Sequence, residues 1–194
     1  MSLETKTVLV GAPDQSTTGA ILSAPIGTAL PTMCGATLDA KFTDSGYVSD
    51  DGLETNIDIS TNDITEWGGN VIRKVPKSSD NSIDFTLLNF DYASLCQAFG
   101  SENVTKTAAN TTHGTQCAVA IGSTLPTAKS WVFLMKDGDA AIMIVLPNAQ
   151  VTKWGKLAFK ASDAVGLNPT ISCYPDSSGK SIYIYTDDGQ KTSA

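Results

Sequence analysis

Apolar and polar side chains alternate along much of the chain with a period of two. The alternation is clearest in residues 53–60, where Leu53, Thr55, Ile57 and Ile59 are separated by polar residues. This period predicts a β-strand with one buried face and one polar face. Similar alternation or short apolar runs predict further strands at residues 4–10, 20–26, 64–67, 71–75, 82–88, 115–121, 131–135, 140–146, 151–159, 170–174 and 181–185.

One segment, residues 92–99, has a helical period instead. Its apolar positions are three or four residues apart, at Tyr92, Leu95, Cys96 and Phe99. Asn89 or Asp91 can cap its first turn, and Gly100 supplies a C-terminal stop. We therefore predict a mainly β protein, a single β-sandwich or barrel with one short flanking α-helix.

The chain shows no linker and no change of composition, so residues 1–194 are predicted to form a single domain. A segment without clear periodicity, about residues 28–52, is predicted to be a long loop and is the first place to look for function. The polar end of the chain, about residues 187–194, is predicted to be a frayed, flexible tail.

Composition and charge narrow the functional classes. The chain has 23 threonines and only four glutamates, which suits strands better than helices. Thirteen basic against 20 acidic residues leave a net charge of −7, which argues against a surface that grips nucleic-acid phosphates. The opening residues lack the apolar stretch of a secretion signal, and no run approaches the roughly 20 apolar residues of a membrane span. We expect a soluble protein made in the cytosol, without a membrane partner.

No constellation of residues points to catalysis, a metal or a cofactor. The single histidine, His113, lies in a polar segment that predicts an exposed loop, and the four cysteines do not have zinc-site spacing. We predict that these cysteines are buried, reduced thiols. Residues 179–181 resemble the end of a phosphate-binding loop, but Tyr174 stands where its first glycine is required. The sequence singles out no carboxylate pair for hydrolysis, although strands could bring two together.

Three segments, read together, resemble the major tail protein, or tail tube protein, of long-tailed (siphovirus-type) bacteriophages. They are residues 46–54 (Gly-Tyr-Val-Ser-Asp-Asp-Gly-Leu-Glu), residues 64–75 (Ile-Thr-Glu-Trp-Gly-Gly-Asn-Val-Ile-Arg-Lys-Val) and residues 85–88 (Phe-Thr-Leu-Leu). Residues 24–32 add to the likeness, which extends over about residues 20–90. The resemblance implies a structural protein, not an enzyme, that forms hexameric rings stacked into a hollow tail tube through which DNA passes.

The resemblance also implies partners and a location. The partners are other copies of the chain, the tape measure protein, the tail terminator and the tail-tip proteins, with duplex DNA as cargo that does not adhere. The location is the phage tail of the virion, assembled in the bacterial cytoplasm.

Candidate interface residues follow from this reading. Tyr47, Asp50, Asp51 and Glu54 are predicted to lie at a contact between rings or neighbours. Trp67, which precedes two glycines in a polar segment, is a further candidate for burial at an interface. On the polar face of residues 53–60, Glu54 and Asp58 are predicted to line the lumen, where acidic side chains repel DNA phosphates.

Two other classes remain open at this point. One is a surface-binding or adhesin β-sandwich of a phage or bacterium, which would be expected to carry exposed aromatic side chains on loops. The aromatic residues here fall mostly in predicted strands, which disfavours that class. The other is a small hydrolase that uses carboxylates.

Overall fold

The computed structural model describes residues 8–14 and 20–191. Within these residues the chain is mainly β, with one α-helix, and the predicted fold class is confirmed. The elements are β1 Ile21–Pro25, β2 Thr43–Asp44, β3 Val48–Thr65, β4 Val71–Leu87, α1 Tyr92–Phe99, β5 Val104–Thr107, β6 Gln116–Val119, β7 Lys129–Asp137, β8 Ala140–Trp154, β9 Pro169–Tyr174 and β10 Tyr183–Asp187. The strand predicted at residues 4–10 and the tail predicted at 187–194 lie partly outside the described residues.

Eight strands form one antiparallel sheet in the order β2-β1-β7-β8-β9-β4-β3, with β10 paired to β8. The remaining strands, β5 and β6, form a separate two-stranded sheet. Strand β8 is central: β7 runs along one of its edges, and β10 and then β9 run along the other. The apolar run 140–146 lies in this strand, which needs apolar residues on both faces.

The sheet buries side chains on both faces. Trp131 and Phe133 of β7 pack with α1 in the larger core cluster. Val132, between them in the sequence, points the other way and packs with Met143 of β8 and with Phe42. Because successive side chains of a strand point to opposite faces, one strand contributes to two cores.

Helix α1 covers the first of these faces. The Asp91 side chain accepts a hydrogen bond from the Ser94 backbone N–H at 2.9 Å, so Asp91, not Asn89, is the N-cap. The indole Nε1 of Trp154 donates to the carbonyl of Ala98 at 2.7 Å, and the Ser94 hydroxyl donates to the carbonyl of Ser45 at 3.0 Å. These bonds fix the helix to β8 and to the segment that precedes β3.

The predicted loop 28–52 is irregular only as far as Phe42. Beyond that point β2 pairs with β1, and β3 has already begun at Val48. The buried Phe42 packs in the second core cluster, so the segment is part of the body of the protein. A segment this irregular shows no period, which is why the short β2 and the start of β3 escaped prediction.

Predicted strands are also joined in the structure. Residues 53–60 and 64–65 belong to the single strand β3, and residues 71–75 and 82–87 belong to β4. Opposite Ser60/Thr61 and Ile64/Thr65, β4 contains one extra residue, Lys77 and Ile72 respectively, and such a β-bulge changes the phase of the pattern in β4. In β3 the alternation is interrupted by the polar run at residues 60–63. The strands predicted at 140–146 and 151–159 are likewise one strand, β8, which ends at Trp154.

None of the helices in the described part of the chain has the length and apolar character that crossing a membrane requires.

Candidate self-assembly interface

Strands β3 and β4 form a hairpin that extends well beyond the body of the protein. Their ladder begins at Val48↔Leu87 and ends at Thr65↔Val71, a span of about 56 Å at 3.3 Å per residue. The body holds about half of this ladder, because β4 pairs with β9 from Asp84 to Asn81, and Asn81 lies opposite Ile57. We call residues 56–80, which comprise the rest of the hairpin and the last two β3 residues beside the body, the arm; every residue in it is exposed except Val75, which is half-buried.

One face of the arm continues the face that packs in the core. Phe85 and Ile83 of β4 are buried on this face, and the Phe85 ring lies 6.0 Å from the Trp131 ring, centroid to centroid. Further along the same face of β3, Ile57 and Ile59 are 59% and 58% exposed. The prediction that these two side chains are buried is wrong for a single chain, because the body ends before it reaches them. Exposed apolar side chains in a row mark an interaction surface.

The opposite face of the hairpin is acidic. Glu54 lies directly across the ladder from Asp84, and Asp58 lies directly across from Asp80. Like charges in such positions repel and destabilise an isolated hairpin. The structure therefore places the predicted lumen residues Glu54 and Asp58 on one face, and it adds two acids that the sequence analysis missed.

Asp51, Glu54 and Asp84 also line a shallow depression of about 390 Å³ between the hairpin and residues 168–170. The Thr170 hydroxyl donates a hydrogen bond to Asp84 within it. Across the described ranges, no group of three or more histidine, cysteine or acidic side chains has the geometry to hold a metal ion. The depression thus brings carboxylates together without forming a metal site.

The arm ends in a tight turn that presents Trp67 to solvent. The Gly69 N–H donates to the carbonyl of Glu66 at 2.9 Å, and Gly69 adopts a φ of +87° that favours glycine. The turn predicted at Gly68 and Gly69 is confirmed. The Trp67 side chain is 106% exposed relative to a reference residue, so no residue of the described part of its own chain covers it. Ile64, Val71 and Ile72 are also exposed at this end of the hairpin, with Ile64 and Val71 at consecutive ladder positions and so on opposite faces. We call Trp67 and these three residues the tip patch.

The other end of the hairpin carries a second exposed apolar group, formed by Tyr47, Leu88 and Phe90, which we call the base patch. The backbone holds it in place: the Leu88 N–H donates to the carbonyl of Tyr47 at 2.8 Å, and the Tyr47 N–H donates to Asn89 Oδ1 at 3.1 Å. Gly46 has a φ of +85°, and a Cβ there would lie 2.7 Å from Asn89 Cγ, so only glycine fits.

The predicted interface residues therefore fall in three places. Tyr47 lies at the base and Trp67 at the tip, so the structure does not bring them together. Asp50 and Asp51 lie near the start of β3, where both carboxylates are within hydrogen-bond distance of the Ser49 hydroxyl. Leu88 and Phe90 were not among the predicted interface residues; Leu88 ends the strand predicted at 82–88, and Phe90 lies two residues beyond it.

The residues considered for chemistry occupy ordinary structural positions. His113 lies in the loop between β5 and β6, with Nε2 2.8 Å from Asn110 Nδ2. The four cysteines are free, as predicted, but only Cys173 is fully buried and the other three are half-buried.

Strand β3 also presents a long free edge. Among the described residues it pairs only with β4, which leaves the outer edge of an 18-residue strand without a backbone partner. Such an edge is a template for pairing with another chain unless something covers it. The edge, the exposed isoleucines and the two end patches together describe a surface shaped for association.

Comparison with known proteins gives one family and several distant structures. The family profile described as phage tail tube protein matches residues 1–194. A search of curated protein sequences finds no match. Among solved structures, the cap that terminates the tube of the anti-feeding prophage has 12% identity and a TM-score of 0.45, over 96% of this chain and 100% of that chain.

Two further structures come from extracellular contractile injection systems in the extended state. A sheath/tube terminator has 12% identity and a TM-score of 0.45, over 92% of this chain and 99% of that chain. A sheath–tube complex has 13% identity and a TM-score of 0.44, over 86% of this chain and 88% of that chain. Because the family profile spans the full length, the chain belongs to the phage tail tube protein family.

Proposed function

We propose that this protein forms hexameric rings that stack into the hollow tube of a phage tail, through which DNA passes. Membership of the tail tube family supports the proposal. The observation that carries it is the arm, where Ile57 and Ile59 continue the core face of the sheet into solvent. In this proposal the protein resides in the virion tail, and the tube is assembled from copies of the protein made in the host cytoplasm.

The arm supplies the contact that an isolated chain lacks. A neighbouring copy packed on the core-side face would bury the exposed part of Ile57 and Ile59, 59% and 58% of each residue, and each would contribute roughly 1–2 kcal/mol. The free edge of β3 would be covered by the same neighbour. When two copies meet through two different surfaces, the contact is heterologous. Such contacts close into a ring when the rotation that relates successive copies adds up to a full turn.

The acidic face of the hairpin suits the wall of a DNA channel. Glu54, Asp58, Asp80 and Asp84 lie on the face opposite the core. Duplex DNA carries one negative charge per roughly 1.7 Å of its axis, and basic side chains on the wall would retain it. We propose that these four acids face the lumen and keep the cargo from adhering.

A tube of this kind has structural partners and no substrate. Its ends would contact the tail terminator and the tail-tip proteins, and its lumen would hold the tape measure protein before DNA enters. The protein would act without catalysis and without a cofactor.

Shortening the arm tests the proposal. Residues 60–78 can be replaced by Asn-Gly, which joins the cross-strand partners Ile59 and Ser79 through a two-residue turn. Because this deletion retains Ile57 and Ile59, both are changed to serine in the same chain. We expect the variant to fold with an unchanged denaturation midpoint, because the body does not contact the removed residues, and to remain monomeric in sedimentation velocity experiments. The control is Phe159→Ala, which removes an exposed aromatic side chain outside the arm. Normal tube yield from the shortened chain would contradict the proposal.

The adhesin alternative retains one observation in its favour. Trp67, Phe90 and Phe159 are exposed aromatic side chains in turns or loops, contrary to the expectation that aromatic residues lie mostly in strands. A panel of cell-wall polysaccharides tests this class directly. Saturable binding that Trp67→Ala abolishes, by a protein that stays monomeric, would favour the adhesin over the tube.

A further inference from the structure

We propose that the tip patch of one copy docks on the base patch of a second copy, and that this contact joins successive rings. The inference rests on the proposed tube. It names the surfaces that meet, which membership of the family does not specify.

The two patches are apolar, exposed and held apart by the hairpin itself. Trp67 lies in the turn at one end of the β3–β4 ladder, and Tyr47 with Leu88 flanks the other end. The ladder separates them by about 56 Å, so the tip of a chain cannot reach its own base. Backbone hydrogen bonds define the local shape of both patches: the Gly69 N–H donates to Glu66 in the turn at the tip, and the Leu88 N–H donates to Tyr47 at the base.

The two ends of the hairpin carry opposite net charge, positive toward the tip and negative toward the base. The distal segment, residues 61–77, carries three bases and two acids, whereas residues 42–60 and 78–91 together carry eight acids and no base. In the distal segment Lys74 pairs with Asp63 at 2.7 Å, while Arg73 and Lys77 make no ion pair with the described residues. A tip that docks on another copy's base therefore brings unpaired cations toward Asp50, Asp51 and Asp91. Two tips, or two bases, would lack this attraction.

The contact permits an open assembly. Tip and base are different surfaces on opposite ends of an elongated hairpin, so each docked copy still presents a free tip and a free base. Repetition of that contact produces a filament, and its axial repeat cannot exceed the hairpin length of about 56 Å. A closed antiparallel pair, in which each tip meets the other copy's base, would end growth at a dimer.

Cross-linking tests the contact directly. Trp67→Cys and Phe90→Cys are made separately in a chain that also carries Cys34→Ser, Cys96→Ser and Cys117→Ser; the buried Cys173 is kept. The two proteins are mixed under assembly conditions and treated with a short bismaleimide. We expect a covalent species that joins position 67 of one copy to position 90 of another, identified by mass spectrometry of the linked peptides. Phe159→Cys, at an exposed aromatic position outside both patches, is the matched partner that should not link to position 67.

Charge insertion gives an independent measure. Trp67→Asp or Phe90→Asp should raise the critical concentration for tube formation at least about tenfold, as expected of an aromatic hot spot, and leave single rings. Phe159→Asp should leave it unchanged. This inference alone would be overturned if the wild type forms tubes, Trp67→Asp forms them normally and no link joins positions 67 and 90. A 67–90 link found only in closed dimers would also overturn it. Absence of rings and tubes from the wild-type protein would instead contradict the proposed function.

Discussion

Asp58 and Asp80 lie directly opposite each other in the ladder between β3 and β4, on the face turned away from the core. Glu54 and Asp84 repeat this arrangement closer to the body. A hairpin optimised for its own stability would place opposite charges in such positions. Two acidic pairs are what we expect of the channel wall proposed above, where a negative surface would keep DNA from adhering.

Removing one of these charges should stabilise the isolated chain. We expect Asp80→Asn to raise the free energy of unfolding by about 0.2–1 kcal/mol, because it relieves the repulsion with Asp58 across the ladder. Urea denaturation of the monomer measures this change. The control is Asp163→Asn, an exposed aspartate in the loop before β9, which should leave the stability unchanged. A destabilised Asp80→Asn variant would show that the pair is not repulsive.

Reversing a charge on this face should slow the passage of DNA without harming the tube. Asp58→Lys places a cation opposite Asp80, which favours the hairpin, so the tubes should form normally. A lumenal lysine would bind phosphates as each DNA segment passes. We expect slower DNA ejection from phage carrying the variant, measured by the fluorescence of a dye that binds released DNA. Ejection kinetics equal to those of an Asp163→Lys phage would exclude a lumenal position for Asp58.

The cap of α1 gives a prediction with a defined pH dependence. The hydrogen bond from the Ser94 N–H holds the pKa of Asp91 below its ordinary value of 3.8. The ionised cap therefore stabilises the fold above pH 3.8, and this contribution is lost as the pH falls through the lowered pKa. At pH 7 we expect Asp91→Ala to cost about 1 kcal/mol of unfolding free energy.

Chemical denaturation of both proteins between pH 7 and pH 2.5 measures the difference. Asp91→Asn is the control, because asparagine caps a helix without ionising. A stability difference between wild type and Asp91→Ala that stays constant down to pH 2.5 would contradict the assignment of Asp91 as an ionised cap.

Thiol reactivity tests the packing of the sheet. Burial raises the pKa of the Cys173 thiol to about 12, so it stays protonated at neutral pH. We expect iodoacetamide at pH 8 to modify the half-buried Cys34, Cys96 and Cys117 before Cys173, which should react only when the chain unfolds. Peptide mass spectrometry after timed labelling follows each site. Equal modification of all four cysteines in the folded protein would contradict the burial of β9.

The faces of the hairpin could be predicted from the sequence, but their environment could not. The alternation from Leu53 onward correctly assigned Ile57 to the core-side face and Asp58 to the polar face. It also predicted that Ile57 is buried, and the structure leaves that residue exposed. An apolar–polar alternation indicates that one face of a strand packs on an apolar surface. The pattern does not distinguish a surface of the same chain from a surface of another copy.

Other features depended on pairing between distant residues. Glu54 and Asp84 are neighbours only because of the ladder register, which includes an irregular stretch between Val48 and Leu53. The bulges in β4 and the polar residues 60–63 of β3 made each long strand look like two short ones. The base patch joins Tyr47 to Phe90 through the hydrogen bonds of the segment between β4 and α1, and no local pattern encodes that contact.

We propose that the exposed core-side face of the arm is an assembly surface. Electron microscopy compares the purified chain with the double variant Ile57→Ser, Ile59→Ser. We expect hollow tubes with sixfold symmetry for the wild type and folded chains without tubes for the double variant, because both isoleucines are exposed in the monomer and would be buried between copies. Tubes of equal yield and diameter from both proteins, or a wild-type chain that stays monomeric at every concentration, would contradict it.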